Sequence, residues 1–181
     1  MAYNFSEISV LIVEDNMPMT ELIKSLLTVY GFKNLITAGN GEEGFEVFRR
    51  SSPDLVITDW MMKPGDGISL TRRIRNDPAS GNQFVPVILM TGFSERRRVM
   101  QARDAGVTEF LVKPFNARDL YRRIAQIIER PRQFVRSEAF FGPDRRRKND
   151  TAYNGALRRE SDLASERVHL DGPVVKNNPL L

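Results

Sequence analysis

The chain contains no cysteine and only one histidine, His169, among its 181 residues. Without cysteine there is no disulfide, no thiol nucleophile and no thiolate metal site, and a lone histidine makes histidine-based catalysis unexpected. Any metal site in this protein must therefore be built from oxygen ligands.

Long apolar runs are also missing. No stretch of the sequence approaches the roughly 18 consecutive apolar residues that a membrane span requires. The first residues, MAYNFSEIS, lack the basic and apolar regions of a signal peptide. We therefore expect no transmembrane segment and a cytoplasmic location. With 41% hydrophobic residues, the chain can build one domain of ordinary size and some additional structure.

The excess of positive charge is small, with a formal net charge of +4. Residues 1–130 contain 17 Lys and Arg against 16 Asp and Glu, and residues 131–181 contain 10 against 7. The informative feature is the short cluster DRRRK in the second part, because local basic density attracts phosphates or acidic partners more than net charge does.

Short apolar runs alternate with segments of helical spacing up to about residue 130. The runs cover residues 8–13, 34–38, 54–58, 85–90 and 108–112. A strand followed by a helix, repeated about five times, predicts a doubly wound α/β fold in which helices cover both faces of a five-stranded parallel sheet. We expect this domain to span residues 1–130. Residues 131–181 should form an irregular or disordered, flexible extension with at most local helix around residues 155–168, because they can bury little apolar surface.

Acidic residues follow two of the predicted strands directly. Glu14 and Asp15 come after the first strand, and Asp59 comes after the third. Because ligands bind outside the carboxyl ends of the strands in an open parallel sheet, these carboxylates should meet in one crevice. Three close anions repel one another, and an oxygen-liganded Mg²⁺ would resolve that conflict. The alternative, that each acid only caps a helix, explains one such residue better than three.

The same edge of the sheet should receive a hydroxyl group and an ammonium group. The fourth strand ends at Thr91, and the fifth leads to Lys113 and Pro114. A lysine can pair with a carboxylate or with a phosphoryl oxygen, and a threonine hydroxyl can donate to another such oxygen. An isolated lysine at a strand end is usually a solvated charge, but here it occurs at the same predicted edge as three carboxylates and a hydroxyl group.

Residues 1 to about 130 resemble the receiver domain of bacterial two-component response regulators, and in particular the chemotaxis-type (CheY-like) single-domain members. The resemblance rests on residues that occur in the expected order: Glu14, Asp15, Asp59, Thr91, Lys113 and Pro114. It implies a flavodoxin-like receiver fold in which Asp59 accepts a phosphoryl group. The donor would be a histidine kinase or a phosphotransfer protein.

The resemblance also implies the ligands of a Mg²⁺ ion. Glu14, Asp15 and Asp59 would hold it together with the main-chain carbonyl of Met61. In the phosphorylated form, Thr91 and Lys113, followed by Pro114, would bind the phosphoryl group. Phe110 is at the position of the switch aromatic, which follows the threonine when that residue moves toward the phosphoryl group.

Two departures from the family pattern concern the loop after Asp59 and its surroundings. The family usually has Met-Pro after the phosphorylation strand, whereas here Lys63 separates Met62 from Pro64. Met61 and Phe93 are bulky and apolar at positions that flank an acyl phosphate. We therefore expect restricted access for water and slow self-dephosphorylation.

The resemblance implies a phosphoacceptor signalling protein and not an enzyme. A haloacid-dehalogenase type of enzyme shares the aspartyl nucleophile, Mg²⁺ and a lysine, but it needs a second acid at position 61, where this chain has Met61. The 51 residues after Arg130 show no helix-turn-helix pattern, so we expect no DNA-binding domain. Output should reach an unidentified protein through the surface of the fourth helix, fifth strand and fifth helix, through the extension, or through a phosphorylation-dependent dimer.

Arginines cluster on the last two predicted helices and in the extension. Those near the helices are Arg96, Arg97, Arg98, Arg103, Arg118, Arg122 and Arg123. In the extension, Arg145, Arg146 and Arg147 follow Asp144. Such a set, with nearby aromatic residues, can bind a guanine nucleotide.

The arginine cluster of the extension resembles that of chemotaxis-type receivers that bind cyclic di-GMP. In an alternative interpretation, the protein is mainly a cyclic di-GMP effector that acts on motility machinery, with the receiver as its scaffold. The same arginines also fit solvated charge, or docking on an acidic protein, an anionic membrane or RNA.

Overall fold

The computed structural model describes residues 3–92, 96–137, 140–144 and 166–168. Strands and helices alternate up to residue 129. The strands of this part are β1 (Ser9–Val13), β2 (Asn34–Ala38), β3 (Leu55–Asp59), β4 (Val87–Thr91) and β5 (Glu109–Val112). The helices are α1 (Met17–Tyr30), α2 (Gly41–Ser51), α3 (Gly67–Asn76), α4 (Arg96–Asp104) and α5 (Ala117–Glu129). Within this described part, no helix combines the length and apolarity needed to cross a bilayer.

The first five strands form one parallel sheet in the order β2-β1-β3-β4-β5. Helices α1 and α5 pack on one face, and α2, α3 and α4 pack on the other. Because both faces are covered, β3 and β4 are buried along their whole length. The predicted doubly wound, flavodoxin-like receiver fold is confirmed. Its strand order reverses between β1 and β3, which is where the ligand crevice of such sheets opens.

Short polar side chains start four of the helices. The N-cap residues Asn16, Asn40, Asp66 and Asn116 each accept a hydrogen bond from the backbone N–H three residues further on. Gly31 caps the carboxyl end of α1, and its φ of 99° is the left-handed conformation that glycine adopts most readily. These caps fix the loops that follow β1, β2, β3 and β5 at the carboxyl end of the sheet.

The residues after α5 form regular structure where the structure describes them. Strands β6 (Phe134–Ser137) and β7 (Phe140–Pro143) pair antiparallel, and β8 (Glu166–Val168) pairs with the other edge of β6. The expectation of an irregular or disordered extension is therefore wrong for these three segments. The sequence did not reveal them because each strand has only three or four residues, too few for a clear alternating pattern.

An aromatic cluster attaches β6 and β7 to the parallel sheet domain. Phe134 and Phe141 pack against Phe84, which precedes β4, with ring centroids 5.1 and 5.3 Å from that of Phe84. Phe134 and Phe141 are both buried. Burial of two such rings stabilises the docked strands by about 2 kcal/mol each, since apolar area is removed from water. The extension thus adds a small core of its own at the amino end of β4.

Candidate functional site

Three carboxylates meet at the carboxyl ends of β1 and β3. One oxygen of each of Glu14, Asp15 and Asp59 lies within 4.8 Å of the others. Glu14 and Asp59 are buried, at 5% and 8% exposure, whereas Asp15 is exposed. The backbone N–H of Glu14 donates to the carbonyl of Ala38 (3.1 Å), so the residue is held beside β2. The structure brings together the three acids that the sequence singled out.

Lys113 joins two of these carboxylates. Its Nζ lies 2.8 Å from Oδ1 of Asp59 and 3.0 Å from Oε2 of Glu14. The Lys113 backbone N–H donates to the carbonyl of Thr91 (2.7 Å), which fixes the start of the loop after β5. One ammonium group therefore compensates two buried anions, and Asp15 adds a third negative charge at the rim.

The electrostatics of the site follow from burial and from this pairing. Burial raises the pKa of the Glu14 carboxyl, and the hydrogen bond from Lys113 only partly offsets that effect. Burial alone would lower the pKa of Lys113, but the hydrogen bonds and charges of Asp59 and Glu14 outweigh it, so its pKa is raised. Lys113 is accordingly a firmly protonated cation at neutral pH.

The backbone around Asp59 is tightly constrained. Oδ2 of Asp59 accepts a hydrogen bond from the Met61 N–H (3.1 Å). The loop after β3 closes where the Gly67 N–H donates to the Trp60 carbonyl (3.1 Å). A Cβ at Gly67 would lie 2.1 Å from the Asp59 carbonyl oxygen, so only glycine allows this approach. Lys63, the residue that departs from the family pattern, is exposed in the same loop.

The remaining predicted residues of the site lie on β4, on β5 and in the loops that follow them. Thr91 ends β4 and is buried. Phe110, on β5, is half-buried and packs against the cluster that contains Trp60 and Leu89. Pro114 is exposed directly after Lys113. Phe93 lies outside the described residues.

Asp144 is the only residue of the predicted guanine-nucleotide set that belongs to the described part of the chain. Its backbone N–H donates to the carbonyl of Gln133 (2.6 Å), which closes the end of the β6–β7 pair. Arg145, Arg146 and Arg147 lie outside the described residues. The structure therefore places the start of this segment beside the new small sheet, away from the three acids.

The family model of the response regulator receiver domain matches residues 10–125. The chain belongs to this family. The receiver is 36% identical over 121 residues to the chemotaxis protein CheY of Pseudomonas aeruginosa, an alignment that covers 67% of this chain and 96% of that protein. It is 35% identical over 121 residues to chemotaxis protein CheY-3 of Vibrio cholerae, covering 67% and 92%.

Solved structures agree with the sequence relatives. The crystal structure of a two-component response regulator from Clostridium difficile has a TM-score of 0.61 at 26% identity, covering 68% of this chain and 98% of that one. The prediction of a CheY-like receiver is confirmed, and receivers act in two-component signalling as phosphoacceptors rather than as typical enzymes. They work with histidine kinases and output proteins. Strands β6, β7 and β8 lie outside the matched residues 10–125.

The residues of this receiver fit a Mg²⁺ ion. Receiver domains bind Mg²⁺ at an acidic pocket, and here Glu14, Asp15 and Asp59 offer carboxylate oxygens within 4.8 Å of one another. All the donors are oxygens, which is the ligand type that Mg²⁺ prefers, and the negative charge exceeds the single positive charge of Lys113. A divalent cation would therefore correct the charge imbalance of the site.

The sequence did not predict the buried position of Arg75 or the hydrogen bonds of Arg132. Arg75 is 1% exposed, and Arg132 donates hydrogen bonds to the carbonyls of Thr108 and Asp144. The helical spacing of Arg75 could have indicated its burial, because it lies on the same face of α3 as the buried Ile68 and Thr71. For Arg132 no local pattern indicated a partner, since its contacts depend on the docking of β6 and β7.

Proposed function

We propose that this receiver is a phosphorylation switch in which Asp59 accepts a phosphoryl group in a Mg²⁺-dependent reaction. The observation that carries the proposal is the position of Lys113, whose Nζ lies within 3.0 Å of both Asp59 and Glu14. A lysine placed between the acceptor carboxylate and its acidic neighbour can pair with the oxygens of an incoming phosphoryl group.

In the proposed transfer, a carboxylate oxygen of Asp59 attacks the phosphorus of a phosphohistidine on the donor protein. The P–N bond breaks and its electron pair stays on the imidazole nitrogen, while the new P–O bond gives an acyl phosphate on Asp59. The reaction depends mainly on charge neutralisation and alignment of the reactants. Lys113 offers the positive charge from this chain, and Thr91, at the end of the neighbouring strand, would donate its hydroxyl to a phosphoryl oxygen.

Glu14, Asp15 and Asp59, with the main-chain carbonyl of Met61, would hold the Mg²⁺ ion. When bound, the ion supplies further charge neutralisation on the phosphoryl oxygens. The Met61 N–H already donates to Oδ2 of Asp59 (3.1 Å), so the residue that carries this carbonyl is held beside the acceptor. The carboxylate of Asp59 is thus oriented from two sides before a phosphoryl donor arrives.

The proposed output surface consists of α4, β5 and α5. Met100 and Val112 are large apolar side chains exposed there, at 44% and 43%. Phe110, on the same strand as Val112, packs against the buried cluster that contains Ala102 of α4. A shift of Phe110 on phosphorylation would change the position of α4, and so the surface that an output protein or a second copy of the chain contacts. We propose a cytoplasmic location for this exchange.

Two finer proposals concern water access and the extension. Met61, 58% exposed beside Asp59, would shield the acyl phosphate, so that the phosphorylated form lasts for minutes or longer. Arg145, Arg146 and Arg147 would bind cyclic di-GMP, and this proposal is supported by the type and clustering of the residues in the sequence. Replacement of all three by glutamine should abolish saturable binding of cyclic di-GMP, and unchanged binding would contradict it.

The main proposal is tested by incubating the protein with acetyl phosphate and separating the phosphorylated form by phosphate-affinity electrophoresis. We expect a shifted band that requires Mg²⁺ and that is absent in Asp59→Asn. The matched control is Asp77→Asn, which removes a partly buried aspartate at the end of α3 and should leave the band unchanged. A Mg²⁺-dependent shifted band in Asp59→Asn would overturn the assignment of Asp59.

A further inference from the structure

The docked extension creates a cavity at the amino ends of β4 and β5. The cavity has a volume of about 580 Å³. Its wall combines the end of α3, the segments that lead into β4 and β5, and the β6–β7 pair, with six residues of interest: Arg72, Arg75, Asp104, Arg136, Phe140 and Phe141. The acids of the receiver lie at the opposite, carboxyl ends of the strands. The volume is within the range of about 300–1,000 Å³ that is common for small-molecule sites.

The charge of this wall is positive. Among the described residues that line the cavity, Arg72, Arg75 and Arg136 are the cations and Asp104 is the acid. The ion pairs within the described part of the chain include none of the three arginines. The cavity therefore has a surplus of guanidinium groups over carboxylates.

Arg75 is the innermost of the three arginines, with 1% of its surface exposed. Its Nε donates to the Gly106 carbonyl (3.0 Å) and its Nη1 donates to the Gln83 carbonyl (2.7 Å). Its Nη2 is buried and has no hydrogen-bond partner among the described residues. Burial lowers the pKa of the Arg75 guanidinium to about 9, because no carboxylate offsets the loss of hydration. A bound anion would offset it.

Aromatic side chains complete the wall. The guanidinium of Arg136 lies over the ring of Phe141, 4.7 Å from its centroid, and this contact restricts the conformations of the arginine. Phe140 is half-buried at the same wall. Guanidinium groups form paired hydrogen bonds with phosphate oxygens, and an aromatic ring can pack against a planar or apolar group attached to the phosphate.

We propose that this cavity binds a phosphate ester of about nucleotide size, with the arginines on its phosphate group and Phe140 against the attached organic group. The proposal does not depend on phosphorylation of Asp59, which lies at the other end of the strands. It also differs from the nucleotide site proposed at Arg145, Arg146 and Arg147, because it is argued from other residues.

The first test is calorimetric titration of the full chain with AMP, with inorganic phosphate and with adenosine, at two salt concentrations. We expect saturable binding of AMP that weakens as the salt concentration rises, weaker binding of inorganic phosphate and none of adenosine. The Asp59→Asn variant should bind AMP as the natural sequence does, so failure of this proposal and failure of the phosphorylation proposal are distinguishable.

Variants then locate the site. Arg72→Gln and Arg136→Gln change exposed residues, so the fold should persist, and each should weaken AMP binding about tenfold through loss of charged hydrogen bonds. Asp104→Asn removes the acid from the wall and should tighten binding. The matched control is Arg49→Gln, which removes an exposed arginine of α2 that is paired with Glu46.

The proposal is overturned by any of the following results. These are the absence of saturable AMP binding, equal affinity for AMP and adenosine, equal affinity for AMP and inorganic phosphate, or equal losses in Arg136→Gln and Arg49→Gln. Binding of AMP that disappears on replacement of Arg145, Arg146 and Arg147 but persists in Arg136→Gln would also overturn it, since it would place the ligand on the extension.

Discussion

The two ends of the parallel sheet carry opposite charges. At the carboxyl end, Glu14, Asp15 and Asp59 surround one lysine. At the amino end, three arginines and one aspartate line a cavity. The first set lies on strands and loops of the receiver family, whereas the second exists only because β6 and β7 dock beside α3. One sheet thus carries an acidic site within the residues that the family model matches, and a basic cavity whose lining includes residues beyond them.

The two ends also differ in how buried charge is compensated. Glu14 and Asp59 have a cation within 3.0 Å. Arg75 has two backbone carbonyls and the ring of Phe134, with its Cζ 5.1 Å from the ring centroid. Hydrogen bonds donated to backbone carbonyls satisfy the guanidinium N–H groups but do not neutralise their charge. At the carboxyl end the buried carboxylates are therefore paired with a cation, whereas at the amino end Arg75 keeps a positive charge that no carboxylate contact within the described part of the chain offsets.

The largest effect confined to the carboxyl end of the sheet is expected for Gly67→Ala, which disturbs the backbone at Asp59. The added Cβ would lie 2.1 Å from the Asp59 carbonyl oxygen, so α3 or the end of β3 must move. We expect a loss of about 3 kcal/mol in the free energy of unfolding. Urea denaturation measures the loss, and phosphorylation by acetyl phosphate should fall as well. Gly81→Ala is the control, because the nearest atom to its Cβ is 3.9 Å away. A fully phosphorylated Gly67→Ala protein of unchanged stability would contradict this close approach.

Lys113→Met tests the compensation of charge at the same end. The variant keeps the length of the side chain but leaves the buried Glu14 and Asp59 without their cation. We expect it to lose about 2 kcal/mol in the free energy of unfolding in EDTA, somewhat less than for a fully buried pair because Lys113 is partly exposed. Urea denaturation with and without Mg²⁺ measures this loss.

In the same experiment, Mg²⁺ should restore more stability to Lys113→Met than it adds to the natural sequence, since it replaces a missing positive charge. The control Lys24→Met removes an exposed lysine paired with Glu21 and should change stability little. If Lys113→Met proved as stable as the natural sequence in EDTA, the two carboxylates would not depend on this lysine.

Sequence patterns were sufficient for the carboxyl end because chemistry and fold reinforce each other there. Asp59 follows a continuous apolar run, and such a run identifies a central parallel strand whose end must face the crevice. The same reasoning placed Glu14 and Lys113. What the sequence did not give was the distance between Lys113 and each acid, which depends on the caps and loops that close after each strand.

The amino end was not predicted, for physical reasons that differ from residue to residue. Arg75 lies on the buried face of its helix, but arginine is usually an exposed residue. A prediction from residue type alone therefore places it at the surface. Phe134 and Phe141 lie in strands of four residues, whose pairing depends on the distant Phe84. Docking between segments far apart in sequence leaves no local periodicity to detect.

Gly142→Ala should disturb the docking of β7 at the amino end of the sheet and leave the acidic site at the carboxyl end intact. Its Cβ would lie 2.9 Å from the Cα of Gly106 and 2.8 Å from the ring of Phe140, so β7 would be pushed off the loop before β5. We expect a loss of about 1.5 kcal/mol in the free energy of unfolding. AMP binding should weaken while phosphorylation of Asp59 continues, whereas Gly67→Ala should reduce phosphorylation. Equal loss of both activities would show that the two ends are not independent.

Arg132→Gln removes a smaller connection between the extension and the sheet. Its Nη1 donates to the Thr108 carbonyl (3.2 Å), directly before β5, and its Nη2 donates to the Asp144 carbonyl. We expect the free energy of unfolding to fall by about 1 kcal/mol, which is the typical net contribution of such a hydrogen bond. Hydrogen exchange at the Asp144 amide, which is bonded to the Gln133 carbonyl, should accelerate, whereas exchange in β1 should not.

The control for Arg132→Gln is Arg130→Gln, an equal change of charge at an exposed residue two positions earlier. Its urea denaturation and its exchange at Asp144 should match those of the natural sequence. Because Thr108 also pairs with Val87 through its backbone N–H (2.9 Å), the start of β5 stays held when Arg132 is lost, and the effect should remain on the side of the extension. Faster exchange in β5 itself would instead show that the extension helps to hold the strand that carries Phe110, and the two ends of the sheet would then be coupled through β5.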